Sequence, residues 1–385
     1  MIPAWKLKRE LRRPFIRLAK SAMLPTGYLN TWVHDRHRTR LVTRSEGAIP
    51  ALQDLAILLI YQPNGILPST YQQLDFFVSQ GVAPIVVVNH PLAERELSRL
   101  LEGAHLVIRR PNTGYDFGGY REGIQTIRER GYDPENLFIL NDSIWFPVRP
   151  DCTFLDQARA ASADVYGIFF NDKARRDAHH HLQSYFYRVS GRVLRDQRFH
   201  RIWDRMALHD NKDLVIRQHE IRLTDRLRQA GFSIGAYLSP TDLLRAAMAL
   251  SVQEKRHLVA YQARHDIRTR QSFQALDTSG LSDAAFEAEA DLLLAATKLS
   301  YYFISSHPYL QLRDLRSPVI KKQRTSECVA QRREILRLGM DRALLPVVGR
   351  EIRMWDDAQD AESAGAAVEP GGRPAVEPAP QGLTL

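Results

Sequence analysis

The chain has 385 residues, 44% of them hydrophobic and 25% charged, with a formal net charge of +9. That length exceeds what one hydrophobic core fills, so two modules with attachments are expected. No apolar run approaches the roughly 20 residues that span a bilayer, which excludes a helical integral membrane protein, and Cys152 and Cys328 form no CxxC pair, which excludes a disulfide framework or zinc knuckle.

The charge is concentrated at the start. Lys6, Lys8, Arg9, Arg12, Arg13, Arg17, Lys20, Arg36, Arg38, Arg40 and Arg44 face only Glu10, Asp35 and Glu46, so residues 1–50 hold +8 of the total. Trp5, Leu7, Leu11, Phe15, Leu18 and Met23 recur among them at near-helical spacing, interrupted at Pro14. This predicts a basic amphipathic arm on an anionic membrane surface, with a solvated helix packed on its own domain as the alternative. No recognition motif or stacking platform accompanies the charge, so nucleic acid is not an expected partner. No secretory-type apolar stretch follows the basic residues, and the expected location is the cytoplasm, peripheral on the inner face of the cell membrane.

From residue 54 short apolar runs alternate with helical stretches, the pattern of an α/β protein with a mainly parallel sheet covered on both faces. Strands are predicted at Asp54–Tyr61, Ala83–Asn89, Ala104–Arg109 and Asn136–Asn141, and helices at Ser69–Gln80, Leu92–Leu101 and Phe117–Arg130. Further strands at Asp164–Phe170 and Leu182–Val189 and helices at Leu194–Leu208 and Leu214–Gln229 complete this module. Beyond Thr241 the pattern is helical, clearest over Leu244–Ala263 and Ser282–Tyr302, and the Pro/Gly/Ala-rich end is expected to be a disordered tail. The expected organisation is an arm at 1–50, a catalytic domain at 51–240, a helical region at 241–356 and a tail at 357–385.

Ligands of open α/β sheets bind at the carboxyl ends of the strands. The predicted strands lead into Tyr61, into Asn89-His90, into Arg109-Arg110-Pro111-Asn112 and into Asn141-Asp142-Ser143, a set suited to a hydroxyl-rich, phosphate-bearing ligand. Between Asn112 and Gly123, Gly114, Gly118 and Gly119 allow close backbone approach at a helix start, either to a ligand or to the sheet. Asp116 is a candidate donor contact or an N-cap. Asp142 is the candidate ligand for a divalent Mg or Mn ion, or the end of an Asx turn. Glu220, at a helix start, is a candidate general base, or a carboxylate favoured there by the helix dipole.

The segments RPNTGYDFGGYREGI (Arg110–Ile124), LFILNDSIWFPV (Leu137–Val148), HLQSYFYRVSGRVL (His181–Leu194), EIRLTDRLRQAGF (Glu220–Phe232) and RSPVIKK (Arg316–Lys322) closely resemble the rhamnan synthesis protein F family. The resemblance covers roughly residues 54–325 and implies a glycosyltransferase-like protein of bacterial surface-polysaccharide assembly. The segment order is also similar to the GT-A (Rossmann-like) fold, with Asn89 where an acid usually stands, Asn-Asp-Ser at 141–143 in place of DxD, and Ile221 after Glu220. It implies a nucleotide-diphosphate sugar donor, with rhamnose named only by the family, and a glycan or lipid-linked acceptor. Glu220 is then the base and Asp142 supports donor or metal, while Tyr61, Asn89, Arg110, Asn112, Gly114, Asp116, Arg121 and Asn141 hold the donor. A non-catalytic glycan-binding or assembly subunit is the alternative.

Overall fold

In the computed structural model, which describes residues 24–172, 177–265, 269–297 and 303–355, the apolar runs form the strands that their pattern predicts. The first unit takes the chain up to Asp142, then Gln157–Gly167 and Ala178–Gly235. Its strands are β1 (Thr43–Glu46), β2 (Asp54–Ile60), β3 (Val82–Val88), β4 (Leu106–Arg109) and β5 (Asn136–Asn141). β2 is parallel to both β3 and β5, and β3 to β4. Every residue of β2 and β3 is buried, as a sheet covered on both faces requires.

Between these strands lie α2 (Pro68–Ser79), α3 (Glu94–Gly103) and α4 (Tyr115–Glu129), preceded by α1 (Leu24–Leu41). The later segments add β6 (Ile144–Trp145), β7 (Val165–Asn171), β8 (His181–Leu182), β9 (Phe186–Ser190), β10 (Ile234–Leu238) and β11 (Ile320–Lys321). The main sheet has the order β1-β4-β3-β2-β5-β9-β7-β10, with β8 on β7. β9 runs antiparallel to β5 and β7, so the expected run Leu182–Val189 is two strands rather than one. The mixed α/β architecture with a mostly parallel centre is therefore as expected.

The glycines of α4 set how closely it lies on the sheet. A Cβ on Gly119 would fall 2.1 Å from Leu59 Cδ1, and one on Gly123 2.7 Å from Ile57 Cδ1, so this helix face is glycine because β2 occupies the space. Gly118 is tighter in a way no side chain can relieve, since a Cβ there would lie 2.2 Å from the carbonyl oxygen of Thr113. Gly118→Ala is expected to destabilise the first unit by about 1–3 kcal/mol. Urea unfolding measures this, and an unchanged midpoint would contradict the packing.

Of the arm expected over residues 1–50, residues 1–23 lie outside the described residues and residues 24–46 form α1 and β1 of the first unit. β1 pairs antiparallel with β4, from Thr43 opposite Arg109 to Glu46 opposite Leu106. Arg38 and Arg44 are drawn onto Glu122 of α4, Arg38 Nη2 donating at 2.9 Å and Arg44 Nη2 at 2.7 Å to Oε1. A buried carboxylate needs such partners, and the basic residues supply them. The tail at 357–385 also lies outside the described residues.

The second unit comprises Ser143–Asp156, Ile168–Asp177 and the chain from Ala236, so it draws on the sequence before residue 240 as well as after it. β6 and β11 form a two-stranded antiparallel sheet. Trp145 of β6 is fully buried among Val148, Leu312, Ile335, Val348 and Ile352, and its Nε1 donates to Glu351 at 2.7 Å. That pairing explains why a short segment beside β5 belongs with the helical region. Helices Pro240–Met248, Val252–His265, Arg270–Asp277, Asp283–Thr297 and Ser326–Arg337 make up most of the rest.

Candidate functional site

In the order β4-β3-β2-β5 the chain winds outward from β2 to β4 and then returns to the other side of β2. The reversal between β2 and β5 is a topological switch point, where the loops beyond two adjacent strands part to leave a crevice. Tyr61 follows β2 and Asp142 follows β5. The backbone N–H of Tyr61 donates to Asp142 Oδ2 at 2.8 Å, which fixes the Asp142 carboxylate at this edge. Asn141 Nδ2 donates to Asp116 Oδ2 at 2.9 Å, so a second carboxylate is one hydrogen bond from the neighbour of the first.

Asp116 lies in the first turn of α4, where the helix dipole favours negative charge. The N-cap is Gly114 at φ 77°, a conformation that favours glycine, so neither a ligand-facing glycine nor an Asp116 cap is needed to explain the turn. Asn89 Nδ2 donates to Asn112 Oδ1 at 3.0 Å, while Arg110 donates from Nη1 to Asn89 Oδ1 at 2.9 Å and from Nη2 to the Thr113 carbonyl at 2.6 Å. Burial lowers the Arg110 pKa to about 10 against the opposing charge of Glu122. These three residues hold one another and shape the loop before α4.

The expected helix over 214–229 is a continuous helical run from Lys212 to Gln229 with a π-turn inside it, so Glu220 lies within the helix and not at its start as expected. A π-helical turn at Ile216–Glu220 precedes α6 (Ile221–Gln229), α5 being Gln197–Asp204. The extra residue per turn re-aims the side chains that follow, a feature frequent at functional sites. His219 anchors the turn. It is buried, its Nε2 lies 2.7 Å from the Ala207 carbonyl, and its ring centroid is 5.6 Å from that of Phe117. Burial pushes its pKa down to about 3, so it stays neutral. Glu220, next in the chain, is half-buried.

Three tyrosines lie beneath these acids. Tyr120, Tyr185 and Tyr187 are buried, and burial raises all three pKa values, with the charge of Glu220 adding to the rise in each. On Tyr120 the charges of Asp116, Glu220 and Asp142 all act in this way. The three acids therefore share one electrostatic neighbourhood. Tyr120 donates to the Ser184 carbonyl at 3.1 Å, whereas the buried hydroxyl of Tyr187 has no hydrogen-bond partner among the described residues. A buried hydroxyl left in this state is costly unless a ligand or water meets it.

Hydrogen bonds link Tyr61 to Asp142, Asn141 to Asp116, and Asn89 to Asn112 and Arg110 in the loop that leads to Gly114, Arg110 being buried and committed within that loop. Arg121 is a correction. It is buried on another face of α4, where its Nη1 and Nη2 each lie 2.7 Å from the Asp35 carboxylate and its Nε donates to the Trp203 carbonyl. A guanidinium so committed does not hold a donor. The tyrosines were not anticipated, although Tyr185 and Tyr187 at i and i+2 in SYFYR place two phenols on one face of a strand.

Among the described residues no group of three or more His, Cys, Asp or Glu side chains gathers as a metal centre, and no helix is long and apolar enough to cross a membrane.

The family model for rhamnan synthesis protein F matches residues 84–327. The chain is 35% identical over 356 residues to the uncharacterized protein y4gN of Sinorhizobium fredii, spanning 92% of this chain and 93% of that one. A mannosyltransferase, PcManGT from Pyrobaculum calidifontis, solved in complex with GDP-Man and Mn2+, aligns over 90% of this chain and 95% of its own at 12% identity and a TM-score of 0.29. That likeness is too distant to bear on the chemistry here.

Proposed function

The chain belongs to the rhamnan synthesis protein F family, and from that premise we propose that it is a glycosyltransferase with a GT-A-like first unit. The donor is a nucleotide-diphosphate sugar, dTDP-rhamnose being the first to test. The acceptor is a growing cell-surface polysaccharide or a lipid-linked glycan, met at the inner face of the cell membrane. One observation carries this reading: at the carboxyl edge of β2 and β5, the Tyr61 N–H holds the Asp142 carboxylate and Asn141 holds that of Asp116.

Sugar transfer develops positive charge on the anomeric carbon and needs a base for the acceptor hydroxyl. Glu220 is that base, presented by the π-turn and half-exposed, so that it can take the proton as the hydroxyl attacks. Asp116 and Asp142 face the donor. A divalent ion suits this donor set, because Mg binds through one or two carboxylates with substrate phosphates completing its shell. Asp142 and Asp116 would hold it, and it would neutralise the departing diphosphate.

Calorimetry with a panel of nucleotide sugars, followed by transfer assays on glycan acceptors, tests the reading. Binding of one donor with turnover supports it. Glycan binding without nucleotide affinity would instead indicate a non-catalytic assembly subunit, the reading favoured by Asn-Asp-Ser at 141–143.

A further inference from the structure

The first unit holds a cavity of about 490 Å³. Arg198, Arg201, Arg205 and Arg226 line it, together with His209 and His219, and among the described residues no carboxylate does. Arg198 is engaged by Asp196. Arg201, Arg205 and Arg226 form no ion pair among the described residues. Arg201 stands in the last turn of α5 and Arg205 at its C-cap, where the helix dipole favours cations and lets two of them sit together. Arg226 is half-buried, and burial together with nearby Arg222 lowers its pKa. His209 and His219 stack with centroids 5.6 Å apart, and the buried Nδ1 of each lacks a hydrogen-bond partner among the described residues. The guanidinium groups make the cavity cationic.

Tyr28 also lines this cavity, and it belongs to an apolar stripe on α1. Tyr28, Leu29 and Trp32 are 64%, 59% and 61% exposed, and Val33 is exposed beside them. Residues 28 and 32, like 29 and 33, are four apart and share a face. Arg36 lies over the Trp32 ring at 5.9 Å from its centroid. Aromatic side chains beside guanidinium groups are what a headgroup region accommodates, since the rings enter the acyl boundary and the guanidinium groups take phosphate in bidentate fashion.

We propose that this cavity is a binding site for the phosphate-ester headgroup of an anionic membrane lipid, with the Tyr28–Val33 stripe of α1 seated in the bilayer interface. The proposal stands independently of the glycosyltransferase reading. It differs from attachment through the basic residues of 1–23, because it depends on folded residues spread over α1, α5 and α6. Gln218 and His219 of its wall immediately precede Glu220, so a lipid held here lies against the turn that carries the proposed base.

Co-sedimentation of the full chain with phosphatidylcholine vesicles, with and without phosphatidylglycerol, is the test. Wild type should favour the anionic vesicles. The triple substitution Arg201→Gln, Arg205→Gln, Arg226→Gln should weaken that binding by about tenfold or more, given roughly 1 kcal/mol per cation at such a surface. Trp32→Ala, at an exposed position where the fold is not at risk, should weaken it severalfold. Full binding by the triple variant overturns the proposal, since the N-terminal residues would then account for attachment. Inorganic diphosphate bound by wild type and not by the triple variant, with no vesicle binding by either, also overturns it in favour of a soluble anion. A Trp32→Ala variant that binds vesicles normally but loses a dimer in light scattering would assign the stripe to a second copy instead.

Discussion

Glu220→Gln is expected to lower sugar transfer about 10³-fold while leaving donor binding and thermal unfolding unchanged. The carboxylate is the proton acceptor in the proposed mechanism, and the amide keeps its size and much of its hydrogen bonding without the basicity. Three features isolate the effect. His219 anchors the π-turn through the Ala207 carbonyl and its contact with Phe117, so the backbone does not depend on the carboxylate. Glu220 is only half-buried, so the change strands no charge. Asp116 and Asp142 keep their partners Asn141 and the Tyr61 N–H. Steady-state and single-turnover assays with the donor identified by calorimetry give the measurement. Normal turnover by the variant would remove Glu220 from the base position and leave the donor-binding reading intact.

Glu122→Ala should unfold the first unit at markedly lower denaturant concentration. Glu122 is 1% exposed and accepts from Arg38 and Arg44, so its removal leaves the two guanidinium groups with only the exposed Glu129 as a shared carboxylate. Because Arg38 and Arg44 are partly exposed and keep Glu129, the cost is that of lost charge-assisted hydrogen bonds, about 1.5–3 kcal/mol. The effect carries a pH signature. Burial works to raise the Glu122 pKa, but hydrogen bonding and charge from Arg38, with the charges of Arg44 and Arg110, outweigh it and hold the carboxyl below its ordinary value of 4.5. With the folded pKa below the unfolded one, this stabilisation is complete above about pH 4.5 and lost as pH falls through the folded value. The variant should therefore show the largest deficit near neutrality and approach wild type in acid. Denaturant unfolding across pH decides it; wild-type stability at pH 7 would mean that the pairs contribute nothing.

The central strands and their polar ends were legible in the sequence. The runs DLAILLI and VAPIVVV are apolar at nearly every position, which only a strand buried on both faces requires, and their length rules out a covering helix. The order of strands and helices then placed Tyr61, Asn89, Arg110 and Asp142 at one edge, because parallel strands all end on the same side. The same edge led to Asp116 and Asp142 as the candidate acids, which remain a proposal together with Glu220.

What remained depended on partners distant in the chain. Arg121 reads as a donor ligand from its place beside Asp116, yet it pairs with Asp35, 86 residues earlier, and no local period encodes that contact. The polar segment TRSE gives no strand signal, and it becomes β1 only because β4 offers a free edge in register. The basic residues 38 and 44 look solvated in sequence and are claimed by the buried Glu122. Residues 216–220 fit an ordinary helix by composition, and the π-turn arises where His219 is held by the Ala207 carbonyl. Hydrophobic periodicity reports which face of an element is covered, so the sequence by itself determined the sheet and the edge where chemistry belongs. The identity of the covering group, and the direction in which a charged side chain turns to find its partner, were decided by the tertiary structure, because burying a charge is tolerable only where that partner is present.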